Sequence, residues 1–167
     1  KMTKIQFNLK FLTSIFGLVL GLLTLHGHAT PLTPFKSVFD TDFASAGVGG
    51  MRNGNGNTSI SLTGVGTNTV SEAYIYWHGP TNNTASPETA ISDVQFAGNN
   101  ISGDFLGVTA DNCWGFANSV AYRADVSSFV SGDGTYSLNN FLQPNANING
   151  VSLIVFYDDG DESNNRD

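Results

Sequence analysis

Apolar residues fall in short runs along this chain, most of them alternating with polar ones. Clusters of Gly, Asn, Asp and Ser separate the runs about every ten residues, the rhythm of an all-β sandwich or barrel. Thr58–Leu62 (TSISL) alternates so that Ile60 and Leu62 share a face. Residues 70–77 predict the next strand, and 89–96 another with Ile91, Val94 and Phe96 as its apolar positions. Asn99-Asn100 reads as the turn into a strand over 101–106, and 109–118 as a longer loop. A short strand over 120–123 leads to Asp125, placed to cap one or two helical turns carrying Val126, Phe129 and Val130. Gly132-Asp-Gly134 then opens a strand with Tyr136 and Leu138. Residues 151–157 (VSLIVFY) are apolar at nearly every position, which predicts a strand covered on both faces. Gly47-Val-Gly-Gly50 and Asn53-Gly-Asn-Gly56, ahead of these strands, read together as a glycine-rich loop. The expected fold is an antiparallel β-sandwich, jelly-roll-like, with one short helical turn.

The stretch AYIYWHG at 73–79 tests that expectation, because it packs three aromatics and a histidine into five positions. In a strand Ala73, Ile75 and Trp77 point one way and Tyr74, Tyr76 and His78 the other. A sugar-stacking platform needs its rings together on one open face, whereas these split between two and precede a Gly-Pro turn. The tyrosines and the tryptophan are therefore expected as filling of the sandwich. Tyr74 and Tyr76 are the pair to watch for exposed stacking.

The N-terminus changes the setting. Lys1, Lys4 and Lys10 precede an apolar run over 11–25, and Gly27 and Ala29 supply small residues before a cleavage point. This is the layout of a signal peptide over 1–29, with a run too short to span hydrocarbon. The remainder, 30–167, is long enough for one domain. It keeps four basic residues against all 14 acidic ones, so no basic stripe is available for nucleic acid or an anionic membrane surface. Cys113 is the single cysteine, which rules out a disulfide within the chain.

Candidate chemistry is sparse. His78 is the only imidazole after residue 29, and no Gly-x-Ser-x-Gly elbow marks a nucleophile. Zinc wants several His or Cys ligands, and one of each is too few. Asp104, Asp111 and Asp125 are scattered, and the sequence pairs no two of them for glycoside hydrolysis. The acidic stretch after Tyr157 is denser. Asp158 and Asp159 open it, and Asp159, Asp161, Ser163 and Asn165 follow an every-second-residue spacing that can wrap calcium. It lacks the central Gly and final Glu of an EF-hand loop, and a solvated turn uses the same residues.

Three blocks in order, AYIYWHG at 73–79, SVAYRADVSSFVSGDGTYSLNN at 119–140 and GVSLIVFYDDGDESNNRD at 150–167, resemble a β-rich module of exported bacterial and archaeal proteins. That module stands near the N-terminus of large surface or secreted proteins, ahead of repeat domains or a C-terminal sorting signal. His78 after the tryptophan and the acidic loop after Tyr157 depart from its pattern. The resemblance implies a location and an architecture but no reaction. Members run on beyond the position of Arg166, so it also implies a sandwich that lacks its last strands here. The expected function is a non-enzymatic structural or adhesive module of a secreted or cell-surface protein, contacting extracellular glycan or protein and other domains of a longer chain. The alternative is a carbohydrate-binding module using Tyr74, Tyr76 and Trp114, with calcium at the acidic stretch as its one cofactor. A hydrolase fragment is the third reading.

Overall fold

A computed structural model describes residues 33–53, 56–110, 114–144 and 146–162. Residues 1–29, expected to be a signal peptide, and Cys113 lie outside the described residues. The chain divides into two compact units, Lys1–Lys36 and Ser37–Asp167. The second holds nine described strands: β1 (Asp42–Gly49), β2 (Thr58–Leu62), β3 (Thr69–Thr81), β4 (Asp93–Phe96), β5 (Asn99–Ser102), β6 (Asp104–Ala110), β7 (Asn118–Asp125), β8 (Gly134–Asn139) and β9 (Gly150–Asp158).

They form two sheets, ordered β1-β9-β3-β7-β6 and β2-β8-β4-β5, with every described pairing antiparallel. Consecutive strands change sheet at every step except β4–β5 and β6–β7, which is the winding of a jelly roll with β6 added at one edge. The all-β, antiparallel sandwich expected from the alternation is the fold observed. The expected helical turn is a 3-10 turn at Ser127–Phe129, one of three described with Met51–Asn53 and Pro87–Thr89, and the Asp125 carboxylate accepts the Ser127 amide at 2.9 Å ahead of it.

Alternation decides what meets between the sheets. Ala73, Ile75 and Trp77 of β3 face inward beside Leu153 and Val155 of β9 and Tyr122 of β7. From the other sheet come Ile60, Leu62, Val94, Phe96 and Leu138. Trp77 is 2 % exposed, stacks on Tyr122 at 5.5 Å and meets Phe141 edge-on at 5.9 Å. Its Nε1–H donates to the Ile91 carbonyl at 2.8 Å, satisfying the one polar atom a buried indole carries.

Several expectations need correcting, among them the strand over 89–96, which is strand only over Asp93–Phe96. Gly47–Gly49 belong to β1, paired with Gly150–Ser152, because the inward alternation Ala44, Ala46, Val48 runs through the glycines. The Gly79-Pro80 pair extends β3 rather than turning the chain. The β9 ladder ends at His78–Gly150, so the missing N–H of Pro80 costs no bond there, and the Pro80 carbonyl instead accepts the Asn147 amide at 2.9 Å. The hairpin after β4 turns on Ala97-Gly98, both at positive φ (49° and 78°), and leaves Asn99 and Asn100 in β5. Residues 101–106 are not one strand: the chain leaves β5 at Gly103 and enters the other sheet as β6, and a Cβ at Gly103 would lie 2.4 Å from the Trp77 ring. A further difference concerns β9, whose Val151, Leu153, Val155 and Tyr157 are buried while Ile154 and Phe156 are half-buried and Ser152 is exposed. One face is core and the other is an outer sheet face.

The core tyrosines set an alkaline limit. The Tyr122 hydroxyl donates to the Pro87 carbonyl (3.0 Å) and accepts the Ile91 amide (3.3 Å). Burial pushes this phenol above its usual value near 10, and Glu88 adds to the shift, while its backbone hydrogen bonds oppose it. Burial also raises Tyr157, helped by Asp42, Asp159 and Asp133. A raised folded-state pKa means that the native state holds these protons more tightly than the unfolded chain. Their contribution is complete below about pH 10 and lost as pH climbs past it. Urea midpoints measured from pH 8 to 11 should therefore hold and then fall above about pH 10, and Tyr122→Phe should blunt the fall while costing about 1–3 kcal/mol at neutral pH. An unchanged alkaline slope in a Tyr122→Phe, Tyr157→Phe double variant would refute the assignment.

Candidate functional site

The two outer faces of the sandwich differ in chemistry. On the five-stranded sheet the cross-strand register lines up Ser45, Ile154, Tyr74 and Asp125 in one row, and Gly47, Ser152, Tyr76, Arg123 and Asp104 in the next. His78 follows between Gly150 and Ala121. Tyr74 and Tyr76 thus sit outside the space between the sheets, which corrects the expectation that they fill it. Trp77 alone of the three does so.

Tyr74 is nevertheless only 7 % exposed, and its hydroxyl donates to Glu72 at 2.7 Å. Tyr76 is half-buried. Arg123 beside it reaches Asp104 at 3.4 Å, an ion pair whose acidic partner is largely exposed. Trp114 is half-buried with the Arg52 guanidinium 5.0 Å from its ring centroid, so a cation covers one face of that ring. Its loop joins the sheet at Asn118, opposite Thr81, five residues and about 16 Å along β3 from Tyr76. Tyr74 and Tyr76 are neighbours on one face, and the register does not bring the Trp114 loop to them.

The acidic stretch is locally engaged where it is described. The Asp158 carboxylate accepts the Gly160 amide at 2.8 Å and that of Asp159 accepts the Asp161 amide at 3.0 Å, a pair of side-chain-capped turns. Ser163 and Asn165 lie outside the described residues. Among the described residues no group of three or more His, Cys, Asp or Glu side chains is placed to hold a metal ion. No described helix is long and apolar enough to cross a membrane.

The other outer face went unremarked in the sequence. On the four-stranded sheet Ser59 pairs with Ser137, and Ser61 with Thr135, their hydroxyls 3.1 Å apart in the second pair. Gln95 of β4 lies between Asn139 of β8 and Asn100 of β5, and Asp93 lies opposite Ser102. Every one of these side chains is hydroxyl or amide except the Asp93 carboxylate, and none is cationic or large and apolar. Beside Asp93 a cavity of about 340 Å³ opens, lined by Asp93, Val94, Asn100, Ile101, Ser102 and Asn140.

Its polar groups are held in place. Ser102 Oγ donates to Asp93 Oδ1 at 2.6 Å, Ser92 Oγ lies 3.4 Å from Asp93 Oδ2, and Gln95 Nε2 donates to Asn100 Oδ1 at 2.8 Å. Val94 and Ile101 also line it, with their side chains turned inward to the core. The signal for this site was the strict alternation of Asp93-Val94-Gln95-Phe96 and Asn100-Ile101-Ser102, which sends four polar residues outward from one hairpin. Compared with protein-family models, curated proteins and solved structures, the chain matches none.

Proposed function

We propose that this protein is a non-enzymatic adhesive module of an exported protein, working through the outer faces of its sandwich. The observation that carries the reading is the division of the exterior into two sheet faces of contrasting chemistry, one aromatic with an ion pair, the other hydroxyl and amide. Open sheet faces suit contact with an extended partner, whereas catalysis asks for reacting groups converging in a cleft. His78 is exposed and stands between Gly150 and Ala121 in its row, without an acid or nucleophile as cross-strand neighbour. The N-terminal segment supplies the export signal in this reading.

The test has two arms. Expressed from its own start, the protein should be recovered outside the cytoplasm with its N-terminus at Thr30, and the purified form should bind intact cells or extracellular matrix saturably. It should turn over none of a panel of chromogenic esters, glycosides and phosphoesters. Cytoplasmic retention with an uncleaved N-terminus, or turnover of any panel member, would defeat the proposal. A carbohydrate-binding module is the second reading, favoured by the Asp93 cavity.

A further inference from the structure

We infer that the outer face of the four-stranded sheet binds a neutral glycan chain, with one sugar residue seated in the cavity at Asp93. The inference rests on the adhesive reading above and gives it a ligand class and a place.

A pyranose offers hydroxyls that both donate and accept, and a C–H face that is mildly apolar. The cavity offers partners for the hydroxyls. Each Asp93 oxygen already faces a serine hydroxyl, at 2.6 Å from Ser102 and 3.4 Å from Ser92, which holds the carboxylate still and leaves further lone pairs directed to solvent. Asn100 spends its Oδ1 on Gln95, and no described residue accepts from its Nδ2. The Asn140 side-chain amide also has no hydrogen-bonding partner among the described residues. A carboxylate acceptor beside two amide donors can take a sugar hydroxyl in both senses at once. Val94 and Ile101 also line the cavity, but their side chains turn inward to the core, so recognition rests on the polar groups. The volume, about 340 Å³, lies at the small end of ligand sites, which run from roughly 300 to 1,000 Å³.

The same residues exclude other ligand classes. An anion or an acidic glycan would meet Asp93 with no cation in the lining. A hard cation would want more than one carboxylate, and only Asp93 is present in the lining. An apolar peptide would leave the hydroxyl and amide groups of the face unpaired, at a cost for each.

Beyond the cavity, Asn100, Gln95 and Asn139 stand in one row across β5, β4 and β8, about 10 Å from end to end. A chain leaving the cavity would run along this row, meeting uncharged hydrogen-bonding groups throughout. No aromatic stacking is required, so the tyrosines of the opposite sheet play no part.

The experiment is affinity electrophoresis of the full chain through gels containing a mannan, a galactan, a xylan or a β-glucan, with pectate and alginate as acidic controls. At least one neutral polysaccharide should retard the protein and neither acidic one should. Calorimetry with that polysaccharide should show Asp93→Ala and Asn100→Ala each weakening binding about tenfold or more, with Tyr76→Ala unchanged. Asn140→Gly keeps the left-handed backbone at this residue (φ 66°) while deleting the amide, and should weaken binding without disturbing the β4–β5 ladder. Melting curves identify any variant that has unfolded, and the remaining variants then decide. Retardation by no neutral polysaccharide, retardation by the acidic ones alone, or binding that survives loss of Asp93, Asn100 and Asn140 overturns the inference. Binding to cells with none to polysaccharide removes this glycan site and leaves the adhesive reading standing. Polysaccharide binding by a protein retained in the cytoplasm does the reverse.

Discussion

Trp77→Ala is expected to lower the unfolding free energy by about 3–5 kcal/mol, enough to leave much of the chain unfolded if its stability is typical of a single domain. The indole makes three specific contacts. It stacks on Tyr122 of its own sheet, meets Phe141 after β8, and donates to the Ile91 carbonyl ahead of β4. Truncation would open a cavity between the sheets and leave the Ile91 carbonyl without its donor, so the two costs add. Trp77→Phe separates them. It retains a ring against Tyr122 while deleting the N–H, and should cost about 1–3 kcal/mol from the unpaired carbonyl. Tyr76→Ala, one residue away on the outer face, should cost clearly less, because Tyr76 is half-buried and packs against no opposing sheet. Urea unfolding of the three variants checks the order. Equal losses at 76 and 77 would mean that the inward and outward faces of β3 have been assigned wrongly.

That contrast also shows what the sequence could and could not reveal. The alternation in 73–77 separated the two faces, and Trp77 is in the core as expected, but strand periodicity alone cannot say what lies over the second face. Tyr74 and Tyr76 have the composition of filling and occupy a sheet exterior. Thr58–Leu62 emerged with the bounds that its pattern predicted, since Ile60 and Leu62 have only one core to face. β1 was hidden because glycines at 47 and 49 mimic a loop; its pairing with β9, a strand a hundred residues later, is what makes it a strand. The break at Gly103 was equally invisible, being set by the Trp77 ring that packs against it. The Asp93 site was legible only in part. Outward polarity could be read from the β4–β5 hairpin, whereas the row from Asn100 to Asn139 exists only once β8 docks beside β4. Serine and asparagine on a strand look the same in sequence as serine and asparagine in a loop.

A second substitution should approach the first in effect. Gly79→Ala places a methyl group 1.7 Å from the Asn147 carbonyl oxygen and 2.8 Å from the Ile148 Cα, both backbone, so relief requires moving a chain segment rather than a side chain. That segment is pinned on either side of the contact: the Asn147 amide donates to the Pro80 carbonyl at 2.9 Å and the Asn149 amide to the His78 carbonyl at 3.0 Å. Moving it also displaces Ile148, which is 2 % exposed in the core. Overpacking in a core costs about 1–3 kcal/mol, and with two backbone hydrogen bonds at stake Gly79→Ala belongs at the top of that range or above it. Gly47→Ala is the control. It lies on an outward position of β1 where a new Cβ has nothing nearer than 3.7 Å, and should change stability by no more than about 0.5 kcal/mol. Hydrogen exchange adds a local readout, since protection of the Asn147 and Asn149 amides should fall in Gly79→Ala before that of the β2–β8 ladder does. If Gly79→Ala melts with the wild type and keeps that protection, residues 146–149 do not lie across β3, and the continuation of β3 through Gly79-Pro80 loses its physical basis.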